Sequence, residues 1–192
     1  MDTDELLSHE FDEHGRVASE TVAAVRAPFA RLVALSVRAL GAGNKLLFFG
    51  NGGSAADAQH LAAELTVRLG RDRLPIAALS LAADSAALTA IGNDLGFERL
   101  FARQVEALGR AGDVAIGLST SGRSANVVCG LQAARQRGLA ATAFAGHDGG
   151  DLPGLAEPLL IVPSTVTARI QEMHITIGHA FCAALERALG LV

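Results

Sequence analysis

Two segments of the sequence carry side chains that could perform acid/base chemistry, and the first is the stretch AADAQHLAAEL. Its His60 and Glu64 are four residues apart, so on a helix they share one face. The residues around them are largely small and apolar, and such surroundings can raise the pKa of a glutamate towards that of a useful base. The two residues form either a proton-transfer pair or, alternatively, a solvent-facing polar pair.

The second segment, TARIQEMHITIGHAFCAALERAL, is mostly apolar but contains four polar side chains of interest: Gln171, Glu172, His174 and His179. A lone histidine on such a helix is usually a core residue whose ring has a hydrogen-bond partner. Two histidines and a glutamine within nine residues favour a functional site instead.

Two polar loops could bind an anion. GNGGSAAD (50–57) and STSGRSAN (119–126) each follow a short apolar run that predicts a strand, and each leads into a predicted helix. Glycines let the backbone approach an anion closely, while hydroxyls and free helix N–H groups donate hydrogen bonds to it. Either loop alone could be an ordinary strand-to-helix connection. Together they favour a phosphate site built from Asn51, Gly52, Gly53, Ser54, Ser119, Thr120, Ser121 and Ser124.

These loops do not match those of nucleotide-binding proteins. A P-loop requires Gly-Lys followed by Ser or Thr, whereas Gly53 is followed by Ser54 and then by alanines. The dinucleotide fingerprint Gly-x-Gly-x-x-Gly is broken at its last glycine in GNGGSA. We therefore expect no nucleotide cofactor.

A third polar motif, AIGNDLGF, contains Asn93 and Asp94. These side chains could cap a helix that starts near Phe97, or they could form hydrogen bonds with sugar hydroxyls. The residues alone leave both interpretations open.

The elements that must position these groups alternate along the chain. Short apolar runs predict five strands, over 45–49, 75–79, 113–118, 139–145 and 158–162. Helical patterns predict helices from a cap at Ser54 to about Leu69, from about Thr167 to Leu189, and over 85–91, 98–109 and 124–137. Strands that alternate with helices imply right-handed crossovers. The fold class is therefore α/β, with a five-stranded parallel sheet flanked by helices.

The first forty residues predict an N-terminal helical arm. VASETVAAVRAPFARLVALSVRAL has apolar residues at helical spacing, and Gly41 and Gly43 should end the helix. Pro28 lacks an N–H group and should kink or divide it. We expect residues 1–192 to form one domain, with the arm over 1–42 and the α/β core, including the long last helix, over 43–192.

The composition argues against several kinds of partner. A net charge of −4 disfavours nonspecific binding to nucleic acid, and the absence of Trp and Tyr removes the usual platforms for stacked bases. The sequence has no run of about 18 apolar residues that could span a membrane, and its acidic start lacks the apolar region of a signal peptide. We expect a cytoplasmic protein that binds neither nucleic acid nor membranes.

Four motifs taken together resemble those of the phosphoheptose isomerases, which are single-domain members of the sugar isomerase (SIS) fold. They are GNGGSAADAQHLAAEL, GND, GDVAIGLSTSGRSANV and VPSTVTARIQEMHITIGH, in the family's order and spacing. The resemblance implies conversion of sedoheptulose 7-phosphate to D-glycero-D-manno-heptose 7-phosphate through an enediol, with Glu64 and His179 as acid/base residues. The substrate contacts that it implies are Asn51, Gly52, Gly53, Ser54, Glu64, Asn93, Asp94, Ser119, Thr120, Ser121, Ser124 and Gln171.

The same resemblance implies a zinc ion and a homotetramer with active sites shared between subunits. The metal ligands would be His60, Glu64, Gln171 and His179. Glu64 could not be a tight ligand and a free base at once without some compromise. Arg123 departs from the commoner family form SGNS and adds a cation beside the phosphate loop.

Two alternatives to this function remain. One is a non-catalytic SIS-type protein that binds a sugar phosphate or is associated with replication initiation. In that branch the residues corresponding to Glu64 and His179 are replaced, so their presence here favours catalysis. The other is an isomerase of a different sugar phosphate, because small SIS-type enzymes differ mainly in the shape of the pocket.

Overall fold

Apolar runs separated by glycine-rich turns fold into alternating strands and helices in the computed structural model, which describes residues 2–192. The strands are β1 (Leu46–Gly50), β2 (Ala78–Ser80), β3 (Val114–Ser119), β4 (Ala140–Gly146) and β5 (Leu159–Val162). The helices are α1 (Thr3–Gly41), α2 (Gly53–Thr66), α3 (Ser85–Asp94), α4 (Leu100–Leu108), α5 (Ala125–Gln136) and α6 (Thr167–Ala188), with a 3-10 turn at Phe97–Arg99.

The strands form one parallel sheet in the order β2-β1-β3-β4-β5. β1 and β3 pair along their length, from Leu46 opposite Val114 to Gly50 opposite Leu118. Both strands are buried throughout, because helices cover the two faces of the sheet. The predicted α/β fold class is confirmed.

Side chains of successive strand residues point to opposite faces and form two apolar cores. Phe48 and Ile116 pack with α1, α2 and α6 on one face. Phe49 and Ala115 pack with α4 and α5 on the other, where Leu88 of α3 also joins the core. The candidate acid/base helices α2 and α6 therefore share one face of the sheet, whereas α3 lies on the opposite face.

Helix α1 is continuous over 39 residues, and it ends at Gly41, followed by Gly43 with a φ of 80°, as predicted. Pro28 was predicted to kink or divide the helix, and the prediction of a division was wrong. Val25 and Leu32, on either side of the proline, are buried, and α1 packs along α6 and β5. This packing on both sides offsets the hydrogen bond that proline removes. Within residues 2–192, no helix is both long and apolar enough to cross a membrane.

Most predicted boundaries differ from the structure by one to three residues; α2, for example, ends at Thr66 and not near Leu69, and α3 continues to Asp94. Two of these differences have a clear physical cause. Ser54 does not cap α2: the cap residue is Gly52, with a φ of 54°, and Ser54 is buried within the first turn. β2 starts at Ala78 and not at residue 75. Pro75 has no N–H group for a strand ladder, and the N–H of Ile76 donates to the Leu65 carbonyl oxygen at the end of α2.

Candidate active site

The two polar loops meet at the point where the strand order reverses. From β1 the chain passes to β2 on one side and then returns to β3 on the other. Parallel sheets bind ligands at such a reversal, outside the carboxyl ends of the strands. The loops 50–57 and 119–126 follow β1 and β3, so both lie at this crevice.

A pair of asparagines joins the loops. Asn51 Nδ2 donates to Asn126 Oδ1 at 2.7 Å, and Asn126 Nδ2 donates back to Asn51 Oδ1 at 2.8 Å. Asn126 is buried. Its role was missed in the sequence, although it closes the motif STSGRSAN, because no local spacing links it to Asn51.

The hydroxyls of the second loop are partly engaged with one another. Ser119 Oγ donates to Ser124 Oγ at 3.1 Å and accepts from the N–H of Gly122 at 3.1 Å. Ser121 Oγ accepts from the N–H of Arg123 at 3.2 Å. These bonds hold the loop in a defined shape before any ligand arrives.

The same loop retains free donors at the start of α5. The N–H groups of Ala125 and Asn126 and the hydroxyl of Thr120 form no hydrogen bond within residues 2–192. Such groups at the positive end of a helix suit an anion. This loop is therefore the better equipped of the two to hold a phosphate.

The loop that follows β4 supports the second loop from one side. The N–H of Gly146 donates to the Thr120 carbonyl oxygen at 3.1 Å. Gly122, with a φ of 67°, lies directly against the backbone of Gly149, so no side chain fits at position 122. The glycine of this motif is needed for the close approach of two backbones.

The guanidinium of Arg123 is held by Asp148. Its Nη2 donates to Oδ2 at 2.9 Å and to Oδ1 at 3.1 Å. The pKa of Asp148 is lowered, first by the hydrogen bond from the N–H of Gly150 and then by Arg123. The cation that Arg123 was expected to add is therefore present at the loop, and its charge is paired with that of Asp148.

His60, Glu64 and His179 lie together on the facing sides of α2 and α6. The Nε2 atoms of His60 and His179 are 2.8 Å apart, and Glu64 Oε1 lies 3.6 Å from His60 Nε2. The side chain of Glu64 is 20% exposed, and its Oε2 is buried without a partner. Two imidazoles and a carboxylate with free hydrogen-bonding capacity can transfer protons or bind a metal ion.

Gln171 connects this cluster to the first loop. Its side-chain amide packs so closely on Gly53 that a Cβ atom at position 53 would overlap it. Gly53 is the first residue of α2, and α6 begins only four residues before Gln171. The two helices thus approach each other at the crevice.

Asp57 is an acidic residue of the cluster that sequence reasoning missed. It precedes His60 by three residues on α2, is 8% exposed, and its Oδ2 has no hydrogen-bond partner. Burial raises its pKa, and the nearby His60 and His179 partly oppose this by favouring the charged form. The spacing of three residues was the signal available in the sequence.

Glu172 and His174, the other two α6 residues considered as site candidates, have structural partners. Glu172 bonds to His14 Nδ1 at 2.8 Å and to Arg169 Nη2 at 2.7 Å, which ties α1 to α6. His174 is fully buried, with its Nε2 3.1 Å from the Ala145 carbonyl oxygen. Neither side chain belongs to the His60–His179 cluster.

Asn93 and Asp94 are not brought next to the cluster within one chain. They are the last residues of α3, and their exposed side chains bond to each other at 2.7 Å. They do not cap the next helical turn, which follows Gly96. Because α3 lies on the opposite face of the sheet from α2 and α6, these residues are separated from Glu64.

The proposed metal ligands have suitable chemistry but are not arranged as a finished site. No group of three or more His, Cys, Asp and Glu side chains in residues 2–192 is positioned to hold a metal ion. Nevertheless, the ligands of a tetrahedral zinc lie about 3.3 Å apart. His60 Nε2 lies 2.8 Å from His179 Nε2 and 3.6 Å from Glu64 Oε1, one distance below this value and one above it. Glu64 Oε2 has no partner and remains free to bind. His60, Glu64 and His179 therefore offer zinc-binding atoms at separations near this value, and Gln171 lies close to the start of the same α2 helix.

Known proteins match the chain over most of its length. The SIS domain family matches residues 11–146. A phosphoheptose isomerase of Paramagnetospirillum magneticum is 60% identical over 181 residues, which is 94% of each chain. Another, from Aquifex aeolicus, is 55% identical over 148 residues, or 77% of this chain and 78% of its own. The solved phosphoheptose isomerase of Neisseria gonorrhoeae superposes with a TM-score of 0.89 at 43% identity, over 97% of this chain and 100% of its own.

The two longest of these matches include the whole crevice. A similarity that spans 181 of 192 residues takes in every position between Asn51 and His179. Both polar loops and both helices of the His60–His179 cluster therefore lie inside it. The chain belongs to the SIS domain family and, within it, to the phosphoheptose isomerases, and it is a sugar-phosphate isomerase.

Proposed function

We propose that this enzyme converts sedoheptulose 7-phosphate to D-glycero-D-manno-heptose 7-phosphate through an enediol, with Glu64 and His179 as its acid/base pair. The observation that carries the proposal is the contact between His179 and His60, one helical turn from Glu64, on a helix that starts in the first polar loop. The name phosphoheptose isomerase, shared by relatives with 60% and 55% identity, supports the choice of a heptose phosphate.

In this proposal the phosphate lies in the loop between β3 and α5. The free N–H groups of Ala125 and Asn126, the hydroxyls of Thr120 and Ser121, and the positive end of α5 are suited to it. The first loop, Asn51 to Ser54, then faces the sugar. The Asn51–Asn126 pair fixes the distance between the two parts of the site.

Isomerisation moves one proton between carbons and another between oxygens. Glu64 removes a proton from C1 of the ketose while the C2 carbonyl oxygen takes up a proton, which leaves the enediol. Glu64 then returns a proton to C2, and the hydroxyl on C1 loses its proton to give the aldehyde. His179 carries the proton between the two oxygens, so the reaction needs no external oxidant or reductant.

We propose further that His60, Glu64, Gln171 and His179 hold a zinc ion. A bound zinc would polarise the carbonyl and stabilise negative charge on the enediolate oxygens. One oxygen of Glu64 could bind the zinc while the other acts as the base, so the two roles would not conflict. Oε1 faces His60, and Oε2 has no partner. Gln171 is pressed against Gly53 and would present its amide oxygen from a fixed position.

We also propose a homotetramer whose subunits share active sites. Helix α1 leaves Leu7, Phe11 and Val22 more than half exposed. An apolar groove of about 330 Å³ runs between α1 and α6, lined by residues that include Val25, Phe29 and Met173. A second copy of the chain could cover these surfaces. That second copy could also place its own Asn93 and Asp94 next to the His60–His179 cluster of the first. Within one chain, these residues are separated from the cluster.

Incubation with sedoheptulose 7-phosphate in D2O, followed by NMR, tests the proposal. An enediol pathway predicts an aldose heptose 7-phosphate that carries deuterium at C2 in every turnover in which the proton on Glu64 exchanges with solvent before it is returned. Turnover of only a different ketose phosphate would contradict the substrate. Binding without any conversion would favour the non-catalytic alternative. Light scattering of the same sample measures the oligomeric state.

A further inference from the structure

Arg73 links the end of α2 to α6. Its Nε donates to Glu186 Oε1 at 2.8 Å, and its Nη2 donates to the carbonyl oxygen of Glu64 at 2.8 Å. Its Nη1 donates to the carbonyl oxygens of Leu65 at 2.7 Å and Leu74 at 3.0 Å. The side chains of Arg73 and Glu186 are only 1% and 5% exposed. A residue outside α2 thus satisfies carbonyl groups that the end of the helix leaves without partners.

This linkage lies beside the proposed acid/base pair. Glu186 follows His179 by seven residues, or two helical turns, and therefore shares its side of α6. Cys182 lies between them and is fully buried. Burial raises the pKa of its thiol to about 12, and the negative charges of Glu64 and Glu186 contribute in the same direction. Arg73 and Glu186 therefore join the two helices on the side of α6 that carries His179 and the buried Cys182.

A second close contact fixes the two helices near His179. A Cβ atom at Gly178 would overlap the side chain of Leu61, so the glycine allows α6 to approach α2 closely. Leu61 follows His60, and Gly178 precedes His179. The proposed catalytic groups thus lie between an apolar contact on one side and the Arg73–Glu186 linkage on the other.

We propose that Arg73 and Glu186 are positioning residues that fix Glu64 against His179 for proton transfer. This inference rests on the acid/base roles given under the proposed function. The linkage ends on the backbone carbonyl of Glu64 itself, so a change in it moves the carboxylate relative to α6. Misplacement of a reacting group by about 1 Å can reduce turnover by roughly 100-fold.

The energetics of buried ion pairs favour such a role. A buried pair adds little net stability compared with apolar side chains of similar volume, because both charges lose their hydration. Arginine can bind the carboxylate and three carbonyl groups at once, since its donors are held in a rigid plane. Lysine has one nitrogen on a flexible stem and cannot reproduce all of these bonds.

Arg73→Lys is the test. With sedoheptulose 7-phosphate, we expect kcat to fall roughly 10- to 100-fold while KM stays within about threefold. The phosphate loop follows β3 and is untouched by the change, which is why KM is preserved. Glu186→Gln keeps an acceptor for Nε and should lower kcat in the same direction by a smaller factor. It provides the decisive measurement if Arg73→Lys does not fold.

Lys45→Gln is the matched control. Lys45 pairs with Asp113, which is 1% exposed, at the start of β1 and β3. The hydrogen bonds of this pair involve only residues 45, 110 and 113, so none of them reaches α2 or α6. The control should lower the melting temperature without changing kcat. All variants are assayed at a temperature at which circular dichroism shows them to be folded.

The possible outcomes separate this inference from the proposed function. A wild-type protein that does not convert the heptose phosphate would overturn both. Wild-type turnover with unchanged kcat in folded Arg73→Lys and Glu186→Gln would overturn the positioning role alone. An equal loss of kcat in Lys45→Gln would also overturn it, because the effect would then follow from general destabilisation. A loss confined to the Arg73 and Glu186 variants supports it.

Discussion

His60 Nε2 on α2 and His179 Nε2 on α6 lie 2.8 Å apart, although 119 residues separate them in the chain. At this distance one ring must donate and the other must accept, so the two facing nitrogens share a single proton. Nitrogens that share a proton in this way can instead bind one metal ion. The contact therefore connects the two proposals about this site, proton transfer and zinc.

Replacement of Glu64 by glutamine should abolish turnover and leave binding intact. Glutamine has almost the same shape but cannot accept a proton, and general base catalysis contributes about 100- to 10,000-fold. We expect kcat to fall by at least about 100-fold, with the affinity for the sugar phosphate, measured by calorimetry, within about threefold. Glu106→Gln, which affects only partly exposed ion pairs with Arg99 and Arg103, is the control. Full activity of Glu64→Gln would exclude the base role.

Purified protein should contain about one zinc per chain, and chelation should lower its activity. His60→Ala removes one nitrogen ligand, so we expect most of the zinc to be lost in elemental analysis while the fold is retained. His9→Ala, which changes an exposed histidine near the start of α1, should keep its zinc. Wild-type protein without metal and with activity indifferent to chelator would contradict the four-ligand site.

A methyl group at position 53 should disturb both the fold and the site. In Gly53→Ala the new Cβ atom overlaps the amide of Gln171, which must move away from the start of α2. We expect a loss of about 1–3 kcal/mol in the free energy of unfolding and reduced kcat. Gly41→Ala places the same group in open space at the end of α1 and should be neutral or slightly stabilising. Equal stability and equal kcat in the two variants would show that the contact between Gly53 and Gln171 has no effect on the fold or the site.

Acid should destabilise the protein through His174. Burial lowers its pKa from 6.5 to about 4, an effect that the bond to the Ala145 carbonyl only partly opposes. The unfolded chain therefore binds a proton between pH 6.5 and 4 that the folded chain does not. Stability from this group is complete above pH 6.5 and is lost as the pH falls towards 4, by at most about 3 kcal/mol.

Urea unfolding of the wild type and of His174→Gln between pH 7.5 and 4.5 measures this effect. The difference between the two curves cancels the contributions of all other groups. We expect the advantage of the wild type to shrink below pH 6.5. Parallel curves would show that His174 is protonated equally in the folded and unfolded states.

The alternation of short apolar runs with helical patterns was enough to predict the α/β class, because local periodicity reflects which side chains are buried. It failed where tertiary contacts outweigh local preference. Packing of Val25 and Leu32 keeps α1 continuous through Pro28, and Pro75 delays the start of β2. The serine-rich loop and the His60–Glu64 spacing also pointed to a site, since their chemistry is concentrated in a few neighbouring residues.

By itself the sequence determined the kinds of groups available: hydroxyls, amides, imidazoles and carboxylates on strand-to-helix turns and two helices. Only the tertiary structure decided which of them meet. It joins Asn51 to Asn126, His60 to His179 and Arg73 to Glu186, and it separates Asn93 and Asp94 from Glu64. These relationships depend on the strand order and on the close packing of α2 on α6. Spacing along the chain does not encode distances between elements that are 75 or more residues apart.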